Sequence, residues 1–349
     1  MSKPEEKIPV TILGATGSVG QKFIELLADH PWFEITGLCA SDKSAGKKYK
    51  DAVDWFLPSP LPKKVEEIIV QKCEPSLEAK IVFSGLDSSV AGEVETEFAK
   101  AGYKVISNSK NHRMDEDVPL LIPEVNPDHL DLIKIQKYGD GCIVTNPNCS
   151  VIGLVIALKP LIDNFGLEEV NVVTMQAISG AGHPRVVKLD MEDNVIPFIK
   201  GEESKVEIEP KKILGSLSHD KIIFTDFKVS AQCNRVNVSD GHTECVQINL
   251  KKKATVDEII QSWESFKSIP QKMNLPLTPL QPIHYSHDEA FPQPKHQRNT
   301  DKGMAVSIGR LRKDSIFDYS FVILSHNTIR GAAGGAILCA ELMKAKGII

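Results

Sequence analysis

An apolar run, residues 10–13, leads directly into Gly14-Ala15-Thr16-Gly17-Ser18-Val19-Gly20, and a helical pattern follows with Val19, Phe23, Leu26 and Leu27 on one face until His30-Pro31 stops it. Strand, glycine turn and helix in this order make the start of the chain a nucleotide-binding type of βα unit. Residues without a Cβ let backbone amides approach a pyrophosphate, which then rests on the helix N-terminus. The glycine spacing is G-x-x-G-x-x-G rather than the commoner G-x-G-x-x-G, so a tight turn without a ligand is the competing reading. Position between a strand and a helix favours the dinucleotide, with Gly14, Thr16, Gly17, Ser18 and Val19 as its contacts.

A second strand over 33–40 should end where a ribose is recognised. The residues there are Ala40-Ser41-Asp42-Lys43-Ser44-Ala45-Gly46-Lys47-Lys48. Serines and lysines suit a 2′-phosphate, so NADP is favoured with Ser41 and Ser44 as contacts; Asp42, if aimed at the ribose, would admit NAD. Residues 55–62, with three prolines, read as a loop. A strand over 80–86, a helix over 91–101 and a strand over 104–106 continue the alternation that predicts a doubly wound parallel sheet. Ligands lie at the carboxyl ends of such strands, which places Ser84 and Gly85 beside the cofactor and Arg113 near the same mouth.

A short strand over 142–145 breaks at Asn146-Pro147-Asn148 and delivers Cys149 to the start of a helix over 150–165. Unpaired amides and the positive dipole end would favour the thiolate there. A packed small residue is the competing reading, because free cysteine is often buried. The seven cysteines include no C-x-x-C pair, which argues against a disulfide framework or a metal site. With 349 residues, 42% hydrophobic and 25% charged, the chain should hold two domains. A net charge of −5 gives no electrostatic case for nucleic acid or an anionic membrane. The start MSKPEEKIPV is unlike a signal peptide and no apolar run approaches the ~18 residues of a membrane span, so a cytoplasmic location is expected.

The second half opens with a strand over 170–177 that ends in Gln176-Ala177-Ile178-Ser179-Gly180-Ala181-Gly182. Residues 190–221 read as a charged, irregular segment around Glu202-Glu203-Ser204-Lys205, closed by a short helix ending at Gly215. Strands over 228–238 and 243–250 flank a turn with Asp240-Gly241, which brings Arg235 and His242 to one cleft. A histidine able to meet Cys149 would complete a nucleophile–base pair, although a lone histidine is more often structural. Residues 253–302 are proline-rich and expected to pack on a partner subunit or cover a surface. Strands over 305–311 and 318–325 imply a mixed or antiparallel sheet with helices on one face. The final helix, to about Lys346, should return to the first domain.

Gly14-Ala15-Thr16-Gly17, Asn146-Pro147-Asn148-Cys149, Gln176 in Gln-Ala-x-Ser-Gly, Arg235 with His242, and Asn327 before Gly331-Ala332-Ala333 occur in this order, and with them the chain from about residue 8 to its end resembles aspartate-semialdehyde dehydrogenase of the archaeal and fungal branch. The resemblance implies an α/β fold: a Rossmann-type NADP-binding domain over 1–148, completed by the helix region 327–349, and an α+β substrate and dimerisation domain over 149–326. It implies Cys149 as nucleophile, His242 as acid/base and Gln176 as the residue that orients the substrate. Arg235 would hold the substrate carboxylate and Glu202 its amine, with Lys205, Arg113 and Asn148 at the phosphate. Ser179, Gly180 and Asn327 join the cofactor contacts. The reaction implied is NADP-dependent interconversion of aspartyl 4-phosphate with aspartate semialdehyde and inorganic phosphate, through a Cys149 thioester, in a homodimer or dimer of dimers. One alternative is a related acyl reductase acting on malonyl-CoA or an N-acylglutamyl phosphate; Arg113 with Lys205 favours an acyl phosphate. A second is a silent NADP-binding protein, against which Cys149, His242, Arg235 and Gln176 together argue.

Overall fold

The computed structural model describes residues 6–182 and 191–349; the first five residues of the amino-terminal stretch and residue 190 of the charged segment lie outside them. Six strands, β1 (Ile8–Leu13), β2 (Phe33–Ala40), β3 (Gln71–Lys72), β4 (Ile81–Ser84), β5 (Lys104–Ser107) and β6 (Cys142–Thr145), form one sheet in the order β3-β2-β1-β4-β5-β6. Every pair in it is parallel. Parallel strands are covered on both faces, which is why β4 and β6 are buried at every position. The strand order reverses between β1 and β4, and at such a switch point a crevice opens beyond the carboxyl ends. Leu13 and Ser84 are paired at that end of the sheet, so Gly14 and Gly85 form the floor of the crevice.

A second sheet is mixed. Its strands are β7 (Leu167–Gln176), β10 (Lys228–Arg235), β11 (His242–Leu250), β12 (Ile283–Ser286), β13 (Val306–Lys313) and β14 (Tyr319–Ser325), in the order β10-β7-β11-β14-β13-β12. A separate hairpin is made by β8 (Ser216–Ser218) and β9 (Lys221–Ile223). The strands on either side of the Asp240-Gly241 turn, β10 and β11, do not pair with each other. β7 lies between β10 and β11, parallel to the first and antiparallel to the second.

Helix Cys149–Phe165 joins the two sheets. It follows β6, yet Val151, Leu154, Val155, Leu158 and Leu161 pack in the core of the second sheet with Val172, Val246 and Ile323. The helix Gly334–Ala345 returns to the first sheet, where Ala336, Ile337, Leu338 and Leu342 share a core with Val10, Ile12 and Phe23.

Two expectations need correction. Residues 253–302 are not loop-heavy. Helix Val256–Glu264 begins with a Thr255–Glu258 capping box, its Trp263 is fully buried and donates to the Ala157 carbonyl at 2.9 Å, and β12 forms the edge of the second sheet. From 191 the charged segment is irregular only up to 201: Glu202–Ile213 is one helix with Pro210 inside it.

Candidate active site

The ends of three adjacent strands supply the first side chains. Arg235 closes β10, Gln176 closes β7 directly opposite it, and His242 opens the antiparallel β11 on the other side of β7. All three are buried. Arg235 donates to the Ala177 carbonyl at 2.8 Å. Gly180 lies over the pair: a Cβ there would sit 2.7 Å from an Arg235 guanidinium nitrogen and 3.1 Å from His242 Cε1. A larger residue would push both away.

Cys149 meets this set from the helix N-terminus. Its Sγ lies 3.2 Å from His242 Nε2, while His242 Nδ1 accepts the Ala177 amide at 3.0 Å. That second bond fixes the tautomer: a neutral imidazole with Nδ1 occupied carries its proton on Nε2, facing the sulfur. The thiolate expected from the helix dipole is not what the surroundings favour. Burial pushes the Cys149 thiol up to about 12, the Glu202 carboxylate adds to this, and Arg235, Arg113 and Lys205 oppose it. Burial also drives His242 down to about 3, with Arg235 adding to the effect. The resting pair is therefore neutral thiol and neutral imidazole. Nor is the Ser150 amide available to an oxyanion, because Asn148 Oδ1 caps the helix by accepting from Ser150 and Val151 at 3.0 and 3.3 Å.

The helix Glu202–Ile213 supplies a charged face. Glu202 accepts from Asn148 Nδ2 at 2.8 Å, Gln176 at 3.2 Å and Lys205 at 2.7 Å. Burial opposes its ionisation, but Lys205 and these hydrogen bonds hold it below the usual carboxylate range. Glu203 turns away to the Cys233 amide, so Glu202 is the carboxylate beside Cys149. About two and three turns on from Glu202, Glu209 accepts from Arg113 at 2.9 Å and from the Asn148 amide at 2.7 Å, and Lys212 donates to the carbonyls of Arg113, Asp115 and Val118. Arg113 is thus held at the site by a buried ion pair rather than left free, and Asn148 is engaged through its side-chain oxygen, its side-chain nitrogen and its backbone amide.

One cavity of about 860 Å³ runs from the glycine turn past Ala40, Ser41 and Gly85 to Cys149, Gly180 and Asn327, with Arg113, Asn148 and Lys205 also on its wall. Its cofactor end fits a dinucleotide. Gly14 has φ +76°, and a Cβ on it would lie 2.8 Å from the Gly85 carbonyl oxygen; one on Gly20 would lie 2.2 Å from the Gly14 oxygen. The helix Ser18–Leu27 that follows has no side-chain cap and no acidic residue in its first turn, leaving its positive end to an anion. Asp42 is exposed and paired with Lys72 at 3.4 Å. Ser41 lines the cavity, whereas Ser44 is not on its wall and Ser84 turns its hydroxyl inward to Glu95 at 2.6 Å. Asn327 accepts from the Gly241 amide at 2.9 Å and donates to Ser179 at 2.8 Å, tying the turn before His242 to the cavity wall. Among the described residues no cluster of histidine, cysteine and carboxylate side chains could hold a metal ion, and no helix is long and apolar enough to cross a membrane.

Sequence reading missed Glu209, Lys212 and the buried Glu244. Glu244 stands two residues beyond His242, one of its oxygens without a partner, and burial together with Glu202 raises its carboxyl. The signal for the first two was the spacing 202, 205, 209, 212, one face of a helix, obscured by Pro210.

Two family models match the chain: the semialdehyde dehydrogenase NAD binding domain over residues 9–133 and the semialdehyde dehydrogenase dimerisation domain over residues 158–330. The aspartate-semialdehyde dehydrogenase of Archaeoglobus fulgidus is 51% identical over 97% of this chain and 99% of its own length. That of Candida albicans is 47% identical over 97% and 98%. Among solved structures, aspartate semialdehyde dehydrogenase with NADP from Candida albicans superposes with a TM-score of 0.91 at 44% identity, covering 99% of this chain and 100% of that one. Aspartate semialdehyde dehydrogenase II complexed with ASA from Vibrio cholerae gives 0.77 at 26% identity, covering 98% and 99%.

Proposed function

The chain belongs to the aspartate-semialdehyde dehydrogenase family, and on that premise we propose that its cavity carries out the NADP-dependent reductive dephosphorylation of aspartyl 4-phosphate to aspartate semialdehyde, and the reverse phosphorylating oxidation, in the biosynthesis of aspartate-derived amino acids. The observation that carries this reading is the Cys149–His242 contact, whose Cys149 stands on the wall of the same cavity that the glycine turn opens into, with His242 buried behind it. Gly14, Thr16, Gly17, Ser18 and Val19 would hold NADP, with Ser41 available to its 2′-phosphate, and the bound cofactor would supply hydride chemistry.

The chain's own groups do the rest. Arg235 presents a planar fork to the substrate α-carboxylate, for which a guanidinium is better shaped than an ammonium. Glu202, ionised beside Lys205, meets the substrate amine. Arg113 and Lys205 attract the phosphoryl group, and Asn148 fixes the helix start beside it. Cys149 Sγ attacks the acyl carbon as its proton passes to the departing phosphate and the bond to phosphate breaks, leaving a thioester on the enzyme. Hydride addition to that carbon turns its oxygen into an anion, which meets the proton held on His242 Nε2. Collapse of this adduct forms the aldehyde and expels the sulfur as thiolate, which the same Nε2–H stabilises. The thiolate then takes a proton from solvent, which returns the pair to neutral thiol and neutral imidazole.

Residues 1–148 with 327–349 are the NADP-binding unit, and 149–326 the substrate and dimerisation unit. The match to a dimerisation model supports a dimeric enzyme, for which we propose pairing into a dimer of dimers and a cytoplasmic location. The test is NADP reduction with aspartate semialdehyde plus phosphate, run beside a no-phosphate control and malonyl-CoA reduction. Phosphate-dependent turnover is expected; turnover on malonyl-CoA alone would move the chain to the related acyl reductases, and none anywhere would make it a binding protein.

A further inference from the structure

Behind Cys149 the chain forms a π-helix, Ile329–Ala333, closed by Gly331 and Ala333 amides that reach back five residues to the carbonyls of His326 and Thr328. A π turn holds one residue more than an α turn and relaxes to α unless something retains it. Here it brings Gly331 against Cys149: a Cβ on Gly331 would lie 2.8 Å from Cys149 Cβ and 3.0 Å from its Cα. The neighbouring Arg330 is fully buried and makes a two-pronged pair with Glu124, at 2.9 and 2.6 Å. Glu124 stands in the turn that follows Leu120 and Leu121, both joined to Thr145 at the end of β6, four residues before Cys149. Asn146, in the same approach to Cys149, donates to the Ala332 carbonyl at 3.3 Å.

We infer that the Glu124–Arg330 pair is a positioning device for Cys149: it locks the π turn so that Gly331 backs the nucleophile and the strand leading to Cys149 is held in step with the cavity wall. The inference rests on the reading of Cys149 as nucleophile. Two buried charges are a costly way to join two segments when apolar residues would serve stability as well, and their geometry fits orientation. If the turn relaxes to α, the register slips by one residue and Gly331 leaves Cys149.

Three variants test this: Glu124→Gln, Arg330→Lys, which keeps the charge inside but gives up the second prong, and Gly331→Ala, which leaves the pair intact and crowds the Cys149 Cα and Cβ directly. Each is measured for kcat, for KM toward aspartate semialdehyde, for thermal midpoint and for the rate at which iodoacetamide labels Cys149. The expectation is a fall in kcat of about 10-fold to 100-fold, the scale of a small misplacement of a reacting group, with the labelling rate altered and KM within about twofold because Arg235 and Glu202 are untouched. A lower thermal midpoint with kcat and labelling unchanged overturns the inference. If Glu124→Gln does not fold, Arg330→Lys decides in the same way. A Cys149→Ala control separates the two readings: turnover in that variant removes the nucleophile, while labelling of Cys149 in the other variants still reports its position.

Discussion

Replacing Glu202 by Gln should make Cys149 more reactive and the enzyme slower. The carboxylate is, after burial, the main influence holding the Cys149 thiol up near 12, and it sits among Asn148, Gln176 and Lys205. Removing its charge leaves Arg235, Arg113 and Lys205 facing the sulfur unopposed. A single nearby charge moves a pKa by about one to three units, and below the pKa each unit is a tenfold change in thiolate. Labelling of Cys149 by iodoacetamide at pH 7, followed by mass spectrometry of its peptide, should accelerate by about 10-fold or more. Turnover should fall, because the substrate amine loses its counter-charge and the donors on Glu202 lose an ionised acceptor. Labelling that stays constant or slows in Glu202→Gln would refute the electrostatic reasoning, since burial alone would then set the thiol.

Other outcomes follow from the same geometry. His242→Gln retains a neutral N–H donor near the sulfur and should keep more activity than His242→Ala; equal loss in both would show that a ring proton must move. In the resting enzyme Cys149 labelling should keep rising through pH 9, the ordinary thiol value, because a raised pKa withholds thiolate until higher pH. A plateau below pH 9 would contradict the burial effect. Gly14→Ala, with φ +76° and a methyl 2.8 Å from the Gly85 oxygen, should weaken NADP binding by at least about 10-fold, on the scale of overpacking plus strain, as read by calorimetric titration.

Much of the first half was legible because its signals are local. An apolar run before Gly14 and a helix pattern after it need no tertiary context, and the alternation that continues to β5 implies the parallel sheet. Arg235, Gln176 and His242 were named from motifs, but their meeting depends on β7 lying between β10 and β11. Asp240-Gly241 invited a hairpin instead, and nothing local distinguishes a turn that reverses one strand onto the next from one that crosses a third. The helix carrying Glu202 was hidden for a different reason. Its buried positions mix the charges Glu202, Glu209 and Lys212 with Val206, Pro210 and Ile213, so charges interrupt the apolar stripe that would mark a helix, and Pro210 reads as a breaker although it sits in the last turn. The thiol state of Cys149 was misjudged because a helix N-terminus is visible in sequence whereas burial, the Asn148 cap and the Glu202 charge are not.

The most direct test of the account is to mix enzyme with NADP and aspartate semialdehyde without phosphate, quench in acid and weigh the Cys149 peptide. An equivalent of NADPH should form together with an aspartyl adduct on Cys149 that disappears when phosphate is added. NADPH formation without the adduct, or undiminished turnover in Cys149→Ala, would contradict the thioester route.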